Sequence, residues 1–348
     1  MAAATIKDIA KMCGVGVSTV SRALNNHPDI NPQTRTRIMQ VIAETGFVPN
    51  NSAINLKKTD SRSIALLVKG ISNPFFSGMI QQIEDIAERQ QYTVTLRHVE
   101  AGEDEAAVAL RLVRGRPLRG IIFLGGNFTH DEAILRQLKV PFVFSTIGTT
   151  KLPEGQSPWY SSISVDDREE ERRATAYLIE QGHRRIAMIT EGLHELSVGH
   201  LRFEGYRDAL REAGIGYDPA LVAEGTAGIE HYSFRNGYEA AKKLLESGAG
   251  FTALLCGADV FALGACRAIF ESGRRVPQDI SVVGYDGIET GEYYNPPLTT
   301  VCQPIAEMAE ATAELLFDVI AKRRSHENLI LPARLVVRGS SGPAEEEA

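Results

Sequence analysis

The chain is expected to fold as a small all-α head carrying a helix-turn-helix, followed by a larger α/β body in two lobes. Three observations predict this. Residues 5 to 46 hold three short amphipathic segments with turns between them, whereas from residue 63 onward short apolar runs alternate with amphipathic ones in two successive series. Charge divides at the same place. Residues 1 to 62 hold eight Lys/Arg against four Asp/Glu, which leaves 29 bases and 40 acids of the totals of 37 and 44 for the rest.

From Thr5 the sequence reads TIKDIAKMCGVGVSTVSRALNN. Thr5, with Asp8 three residues later, makes an N-cap with an acid in the first turn, and Ile6, Ile9, Ala10 and Cys13 recur at helical spacing. Gly14 ends this helix and a second begins near Val17. Val15, Val20 and Leu24 supply the buried stripe of the second, leaving Val17, Ser18, Ser21, Arg22 and Asn25 outward. A third segment, NPQTRTRIMQVIAETG, buries Ile38, Val41 and Ile42 and closes a small core. Two short helices joined by a Gly-containing turn form a helix-turn-helix, whose second helix fits the DNA major groove and reads base edges near its N-terminal end.

The exposed positions of that helix are Ser, Thr, Arg and Asn rather than Glu and Lys. Such side chains hydrogen-bond without filling the face with like charge. A plain three-helix bundle would share the apolar pattern, but the polar face and the local positive charge favour DNA. The G-V-G at 14 to 16 is no dinucleotide fingerprint, because the third Gly and the preceding strand are missing.

The 348 residues suggest two or three domains, and 43% hydrophobic with 23% charged residues is an ordinary globular composition. MAAATIKDIAK lacks the apolar core of a signal peptide, and no run approaches the roughly 18 apolar residues of a membrane span. A cytoplasmic location without membrane association is expected. Cys13, Cys256, Cys266 and Cys302 are scattered, with no CxxC pair and no metal-ligand spacing, and read as small buried hydrophobes.

In the body, IALLVKG, TVTLRHV, GIIFLGG and PFVFSTI read as strands, with helices starting near Pro74, Glu103 and Thr129. A second series follows in RRIAMIT, ALVAEG, FTALLCG and ISVVGYDG, with helices near Arg168, Ser197, His231 and Ala258. This alternation predicts parallel sheets with right-handed crossovers and ligand sites at the C-terminal strand ends, so two series give two lobes with a cleft between. The acidic run VDDREEE, 165 to 171, reads as the solvated first turn of a helix, where acids favour the dipole, rather than as a metal site.

The stretches TIKDIAKMCGVGVSTVSRALNN and GFVPNNSAINL resemble the start of the LacI/GalR family of bacterial transcription regulators. ISNPFFSGMIQQIEDIA, GHRRIAMI, RFEGYRDAL, NGYEAAKKLLE, VPQDISVVGYD and PPLTTVCQP extend the likeness to about residue 340. The resemblance implies a type I periplasmic-binding-protein-like core. It places Val17 and Ser18 where recognition-helix residues choose the operator and Arg22 where an arginine contacts bases. Thr5 joins this DNA-binding set, and Thr19, Ser21, Asn25 and Thr34 fall at phosphate-holding positions.

PNNSAINL, 49 to 56, resembles the family's hinge, a helix that forms on DNA in the dimer, with Asn50 in the DNA-binding set, Ala53 near the base edges and Leu56 as a minor-groove wedge. A free helix this short is marginal in water, which makes the hinge a switch. Ile54 departs from the Arg or Gln usual there, so a contact is lost.

For the core, the likeness implies an effector held by Asn73 and Phe75 at the first helix start, Arg202 of HLRFEGY as a fork onto hydroxyls or a carboxylate, Tyr232 as an aromatic cover, and Asp286 of GYDG as an acceptor. Asp259 of GADV reads equally as a ligand contact or as a cap of the helix after it. Thr146 sits where Asp is common, Ala258 where Asn is common, and Leu196 and Val198 where polar groups often lie, so a less polar pocket is expected.

The domain boundaries expected are 1–48 for the head, 49–62 for hinge and linker, and 63–340 for the core. Lobe 1 takes 63–163 and 302–324, lobe 2 takes 164–301 and 325–340, and 341–348 is a disordered tail. The expected function is a homodimeric repressor on palindromic double-stranded DNA, controlled by a small-molecule effector related to a sugar, with no cofactor, no metal and no catalysis. Two alternatives compete. Control by a phosphorylated carrier protein draws on the likeness of GIIFLGGNFT to the catabolite-control branch, but Glu314 stands where that branch carries a base. A transporter's solute-binding protein is opposed by the basic head. An enzyme finds no GxSxG, P-loop or HExxH support.

Overall fold

The computed structural model describes residues 5–24, 29–45, 62–100, 102–126, 128, 131–148, 158–193, 197–226 and 228–345. The chain divides into two units, before and after Ser61/Arg62.

The first unit is three helices, α1 (Ile6–Cys13), α2 (Val17–Leu24) and α3 (Pro32–Thr45). Thr5 and Asp8 form a reciprocal capping box on α1, and Gly14, left-handed at φ 63°, ends it with its N–H on the carbonyls of Ala10 and Lys11. Ile9, Ala10, Cys13, Val20, Ala23 and Ile38 are buried together, with Val15, Leu24, Val41 and Ile42 partly buried against them. The expected apolar stripe therefore holds, with Ala23 added.

The second unit contains two six-stranded sheets. Lobe 1 is built on β1 (Ser63–Lys69), β2 (Thr93–Val99), β3 (Gly120–Leu124), β4 (Phe142–Ser145), β5 (Ser161–Ser164) and β11 (Asn328–Ile330), ordered β11-β5-β4-β3-β1-β2 and wholly parallel. Its helices are α4 (Phe75–Arg89), α5 (Glu105–Gly115), α6 (Glu132–Leu135) and α12 (Ile305–Ile320). Lobe 2 is built on β6 (Ile186–Thr190), β7 (Val222–Glu224), β8 (Ala253–Cys256), β9 (Ser281–Asp286), β10 (Thr299–Cys302) and β12 (Arg334–Val336), ordered β12-β10-β9-β8-β6-β7. Its helices are α7 (Asp167–Glu180), α8 (Val198–Glu212), α9 (Phe234–Glu246), α10 (Asp259–Glu271) and α11 (Glu289–Glu292).

The chain passes between lobes three times, after β5, after β10 and between β11 and β12. Both lobes are thus tied together on one side, and the βα loops at the carboxyl ends of the strands face a common cleft.

Four expectations are corrected. Residues 328–330 pair with β5 and belong to lobe 1, not lobe 2. β12 runs antiparallel to β10, so the second sheet is mixed at its edge. The tail is packed at least to Ala344, because Gly342 bonds Ser281, Ala344 N–H bonds the Gln181 carbonyl, and Ser341 is buried. The acidic run is largely buried rather than solvated. Asp167, Glu170 and Glu171 are each under 8% exposed, because this turn of α7 packs on α8 instead of facing water.

Candidate functional site

The head presents one polar helix face. In α2, Val17, Ser18 and Arg22 are exposed, Val17 by 41%, while Thr19 and Ser21 are half-buried, which corrects the outward placement of Ser21. Gly16, before the helix, offers no side chain to cap its first N–H groups. Together with the positive end of the helix dipole, these amides suit a phosphate or a base edge. Thr5 is exposed but its hydroxyl is engaged with Asp8, donating to Oδ2 at 2.6 Å. Thr34 is half-buried in the first turn of α3. Asn25, Asn50, Ala53 and Leu56 lie outside the described residues.

The cleft of the second unit has a volume of about 790 Å³ and takes its walls from both lobes. Of the seven expected effector residues it collects Asn73, Phe75, Thr146, Arg202, Tyr232 and Asp286. Each is set by the end of a strand or the start of a helix. Asn73 opens α4, its Oδ1 accepting from Phe75 N–H at 3.1 Å. Its Nδ2 crosses the cleft floor and donates to Asp286 Oδ2 at 2.9 Å. Gln303, on a crossover between lobes, donates to the other oxygen at 2.8 Å. Burial pushes the Asp286 carboxyl up to about 6, against the field of Arg202 and these two hydrogen bonds.

Arg202 reaches the cleft from α8. Its Nε and Nη2 lie 2.9 and 2.8 Å from Asp167 Oδ1, Nη1 donates to the Gly257 carbonyl, and the guanidinium stacks 3.6 Å above the Tyr285 ring. Gly199 permits this approach of α8. A Cβ there would stand 1.9 Å from the Glu191 carbonyl oxygen. Tyr232 stacks on Phe261 with centroids 5.3 Å apart, and Thr146 Oγ1 accepts from Gly125 N–H at 3.2 Å.

Thr146, Tyr232 and Asp286 all have positive φ, at 73°, 50° and 123°, and among the described residues only three other non-glycines do. Each such residue costs about 1–3 kcal/mol unless its surroundings hold it. Half of this strain lies in the cleft, as expected of a site whose groups are pre-positioned.

Asp259 is not in the cleft. Its Oδ2 accepts from the N–H groups of Gly287 and Ile288 and its Oδ1 from Thr300, so neither alternative foreseen for it holds. It pins the loop after β9 from behind and so helps to position Asp286, whose nearby charge, after burial, raises the Asp259 carboxyl. In the acidic run, Asp167 is the buried partner of Arg202. Burial, opposed by Arg202, pushes Glu171 up to about 8, and its Oε1 has no hydrogen-bond partner among the described residues, which favours the neutral carboxyl.

Sequence reasoning missed the cleft's outer polar groups. Lys69 lies 3.1 Å from Glu105 Oε2, and Glu191 receives bonds from His231, Asn236 and the Tyr232 N–H. The bond to Glu191 holds the His231 imidazole above its ordinary value. These pairs join residues 36 to 45 apart in the chain, which no spacing rule detects. Val198 and Ile147 line the wall, beside charged groups from both lobes. Cys13, Cys256 and Cys266 are buried free thiols and Cys302 is half-buried. Among the described residues no group of His, Cys, Asp and Glu could hold a metal, and no helix is long and apolar enough to cross a membrane.

Residues 5–50 match the family model described as bacterial regulatory proteins, lacI family, and residues 175–341 match that of the periplasmic binding protein-like domain. The HTH-type transcriptional regulator MalR of Clostridium butyricum is 39% identical over 337 residues, 96% of this chain and 98% of that one. A transcriptional regulator CelR–cellobiose complex superposes with a TM-score of 0.70 at 31% identity, covering 97% of this chain and 99% of the other. The lac repressor dimer bound to operator and the anti-inducer ONPF gives a TM-score of 0.74 at 28% identity over 97% and 99%.

Proposed function

This chain belongs to the LacI family of bacterial regulatory proteins and is a DNA-binding transcriptional regulator, and from that premise we propose that it is a homodimeric repressor of a palindromic operator, released or recruited by a small carbohydrate-related effector in the inter-lobe cleft. Its place of action is the cytoplasm, where the DNA is.

The observation that carries the effector reading is the convergence of Asn73, Phe75, Thr146, Arg202, Tyr232 and Asp286, from both lobes, on one cleft of about 790 Å³. A volume in the range of 300–1,000 Å³ with an apolar wall and few convergent polar groups is the form of a small-molecule site. The cellobiose of the CelR complex supports a sugar as the class of ligand. Val17, Ser18 and Arg22 choose the operator bases, with Thr19, Ser21, Asn25 and Thr34 on phosphates, Thr5 at the edge of the same surface, and Asn50, Ala53 and Leu56 serving the hinge. A second copy is proposed because a major-groove helix reads one half-site, and a palindrome needs two.

The test is to incubate the full chain with fragmented DNA of its source and sequence what is retained, beside a V17A/R22A variant. A shared palindrome retained by the parent and lost by the variant is expected, and its retention should change when the right sugar is added. Equal retention by both would refute the assignment of α2 as reader. The phosphorylated-carrier alternative has no support from the surface of α12, where Glu314 stands.

A further inference from the structure

Among the described residues, every basic side chain lining the cleft is already matched by a carboxylate of its own lobe. Lys69 Nζ is 3.1 Å from Glu105 Oε2 and also donates to the Glu103 carbonyl. His98 Nδ1 is 3.5 Å from Glu100 Oε1, Arg202 is bonded to Asp167, and His231 to Glu191. Asp286 and Glu230 line the same cleft, and among the described residues no base faces them alone: Asp286 shares the field of the guanidinium already bonded to Asp167. With all four bases charged, the wall and its partners carry four positive charges against six negative ones.

What remains is hydrogen-bonding capacity without net positive charge. Arg202 has five N–H groups, of which the Nε–Nη2 edge, one of those able to fork onto an anion, is taken by Asp167 and one Nη1 donor by Gly257. Its other donors, and the third N–H of Lys69, can still bond an oxygen. Each Asp286 oxygen accepts one bond, from Asn73 or Gln303, and retains a lone pair. Phe75, Ile147, Val198 and Tyr232 supply faces for C–H groups. A hydroxyl serves this wall on both counts, donating to Asp286 and accepting from Arg202. A phosphate or carboxylate only accepts, and would meet Asp286 and Glu230 without a spare cation.

Resting on the reading of the cleft as the effector site, we infer that the effector is an uncharged, hydroxyl-rich molecule, a free sugar or nucleoside, and that the cleft rejects its phosphorylated or carboxylate forms. Like-charge juxtaposition costs several kcal/mol in a desolvated site, so the phosphorylated twin of a bound ligand should bind at least about 100-fold more weakly.

The test is calorimetric titration of the full chain with matched pairs: ribose and ribose 5-phosphate, glucose and glucose 6-phosphate, cellobiose and cellobiose 6′-phosphate, cytidine and cytidine 5′-monophosphate. Binding of a neutral member with rejection of its twin is expected, and a phosphorylated member that binds equally or more tightly overturns the inference. Inorganic phosphate decides the matter even if none of the pairs binds. The parent should show no saturable heat, whereas D167N and, separately, E105Q, which free Arg202 and Lys69, should each gain phosphate binding, with E105Q standing alone if D167N does not fold. Saturable phosphate binding by the parent, or no gain in any folded variant, overturns the inference. Operator retention measured on the same samples separates the two readings: a neutral ligand that binds without altering it would refute the effector role and leave the charge selection standing.

Discussion

Replacing Arg202 by Ala tests the most heavily bonded group in the cleft. Arg202 is 4% exposed and Asp167 2%, so the substitution strands a carboxylate that has no water to solvate it. It also removes the bond to the Gly257 carbonyl and the stacking on Tyr285. Breaking a buried pair by removing one partner costs about 3–5 kcal/mol. The lost stacking overlaps with that figure, so a net loss of about 4 kcal/mol at neutral pH is expected, a large part of the 5–15 kcal/mol of a typical domain. The pH dependence has a definite sign. Burial raises the Asp167 pKa and Arg202 opposes it. Without Arg202 the folded-state value rises further above the unfolded one, and a group so shifted loses stability for the fold as pH climbs from the unfolded toward the folded value. The deficit of R202A should therefore be larger at about pH 7.5 than at about pH 5. Urea denaturation of the full chain at both pH values, following the body's transition, measures it. A loss under about 1 kcal/mol, as for an exposed pair, or an equal loss at both pH values would refute the argument. Adding D167N should recover much of the loss, since the two residues form one unit.

Effector affinity should fall as pH drops through about 6, where Asp286 takes up a proton and gives up an acceptor, and D286N should flatten that profile in a titration series. E171Q should stabilise the protein at neutral pH. Glu171 titrates at about 8 in the fold against 4.5 unperturbed, which makes folding lose about 3 kcal/mol between acid and neutral pH, and a thermal-melt series on the variant should lack that slope. G199A should destabilise the body by about 1–3 kcal/mol and weaken effector binding, because its Cβ must push the Glu191 backbone away from α8; unchanged melting would show that the approach is slack. L56A, at the position proposed for the minor-groove wedge, should weaken operator binding in a gel-shift titration while leaving effector affinity unchanged, and equal operator affinity would refute that proposal.

The helix-turn-helix was legible because its signals are local: a capping box at Thr5 and Asp8, a left-handed Gly14, and an apolar stripe closed by Ile38. The strands carrying continuous apolar runs, such as β1 and β3, were legible for the same reason. β5 was not, since its sequence is SSIS and its serines are buried only because Ser161 meets His326 and Ser162 meets Asn328 from the far end of the chain. That distant pairing also hid β11 and moved the lobe boundary. Of the seven residues expected from the family likeness to hold an effector, six line one cleft. Asp259 failed because its position at the head of α10 says nothing of where its carboxylate turns. Three donors behind β9, two of them loop amides, draw it away from the ligand side. The burial of Asp167 was equally invisible, for an acid beside an acid run reads as solvated until its arginine, 35 residues on, is brought to it.

The same arrangement limits what an effector can do. A ligand moves a two-state equilibrium only by the difference in its affinity for the two states, and a swing from 1:99 to 99:1 takes about 5.5 kcal/mol. A ligand held by one lobe alone contributes nothing to that difference when the lobes change angle. Here Asn73 and Thr146 come from one lobe, Arg202 and Asp286 from the other, and Gln303 from the connection between them. Hydrogen bonds to charged groups are worth about 1.5–3 kcal/mol each, so two to four bonds made in one arrangement and lost in the other supply the swing. The Asn73–Asp286 bond already joins the lobes without a ligand. An effector that takes Asp286 from Asn73 loosens the lobes unless it bonds Asn73 as well, so this bond contributes one share of about 1.5–3 kcal/mol to the swing and the remaining cleft bonds must supply the rest.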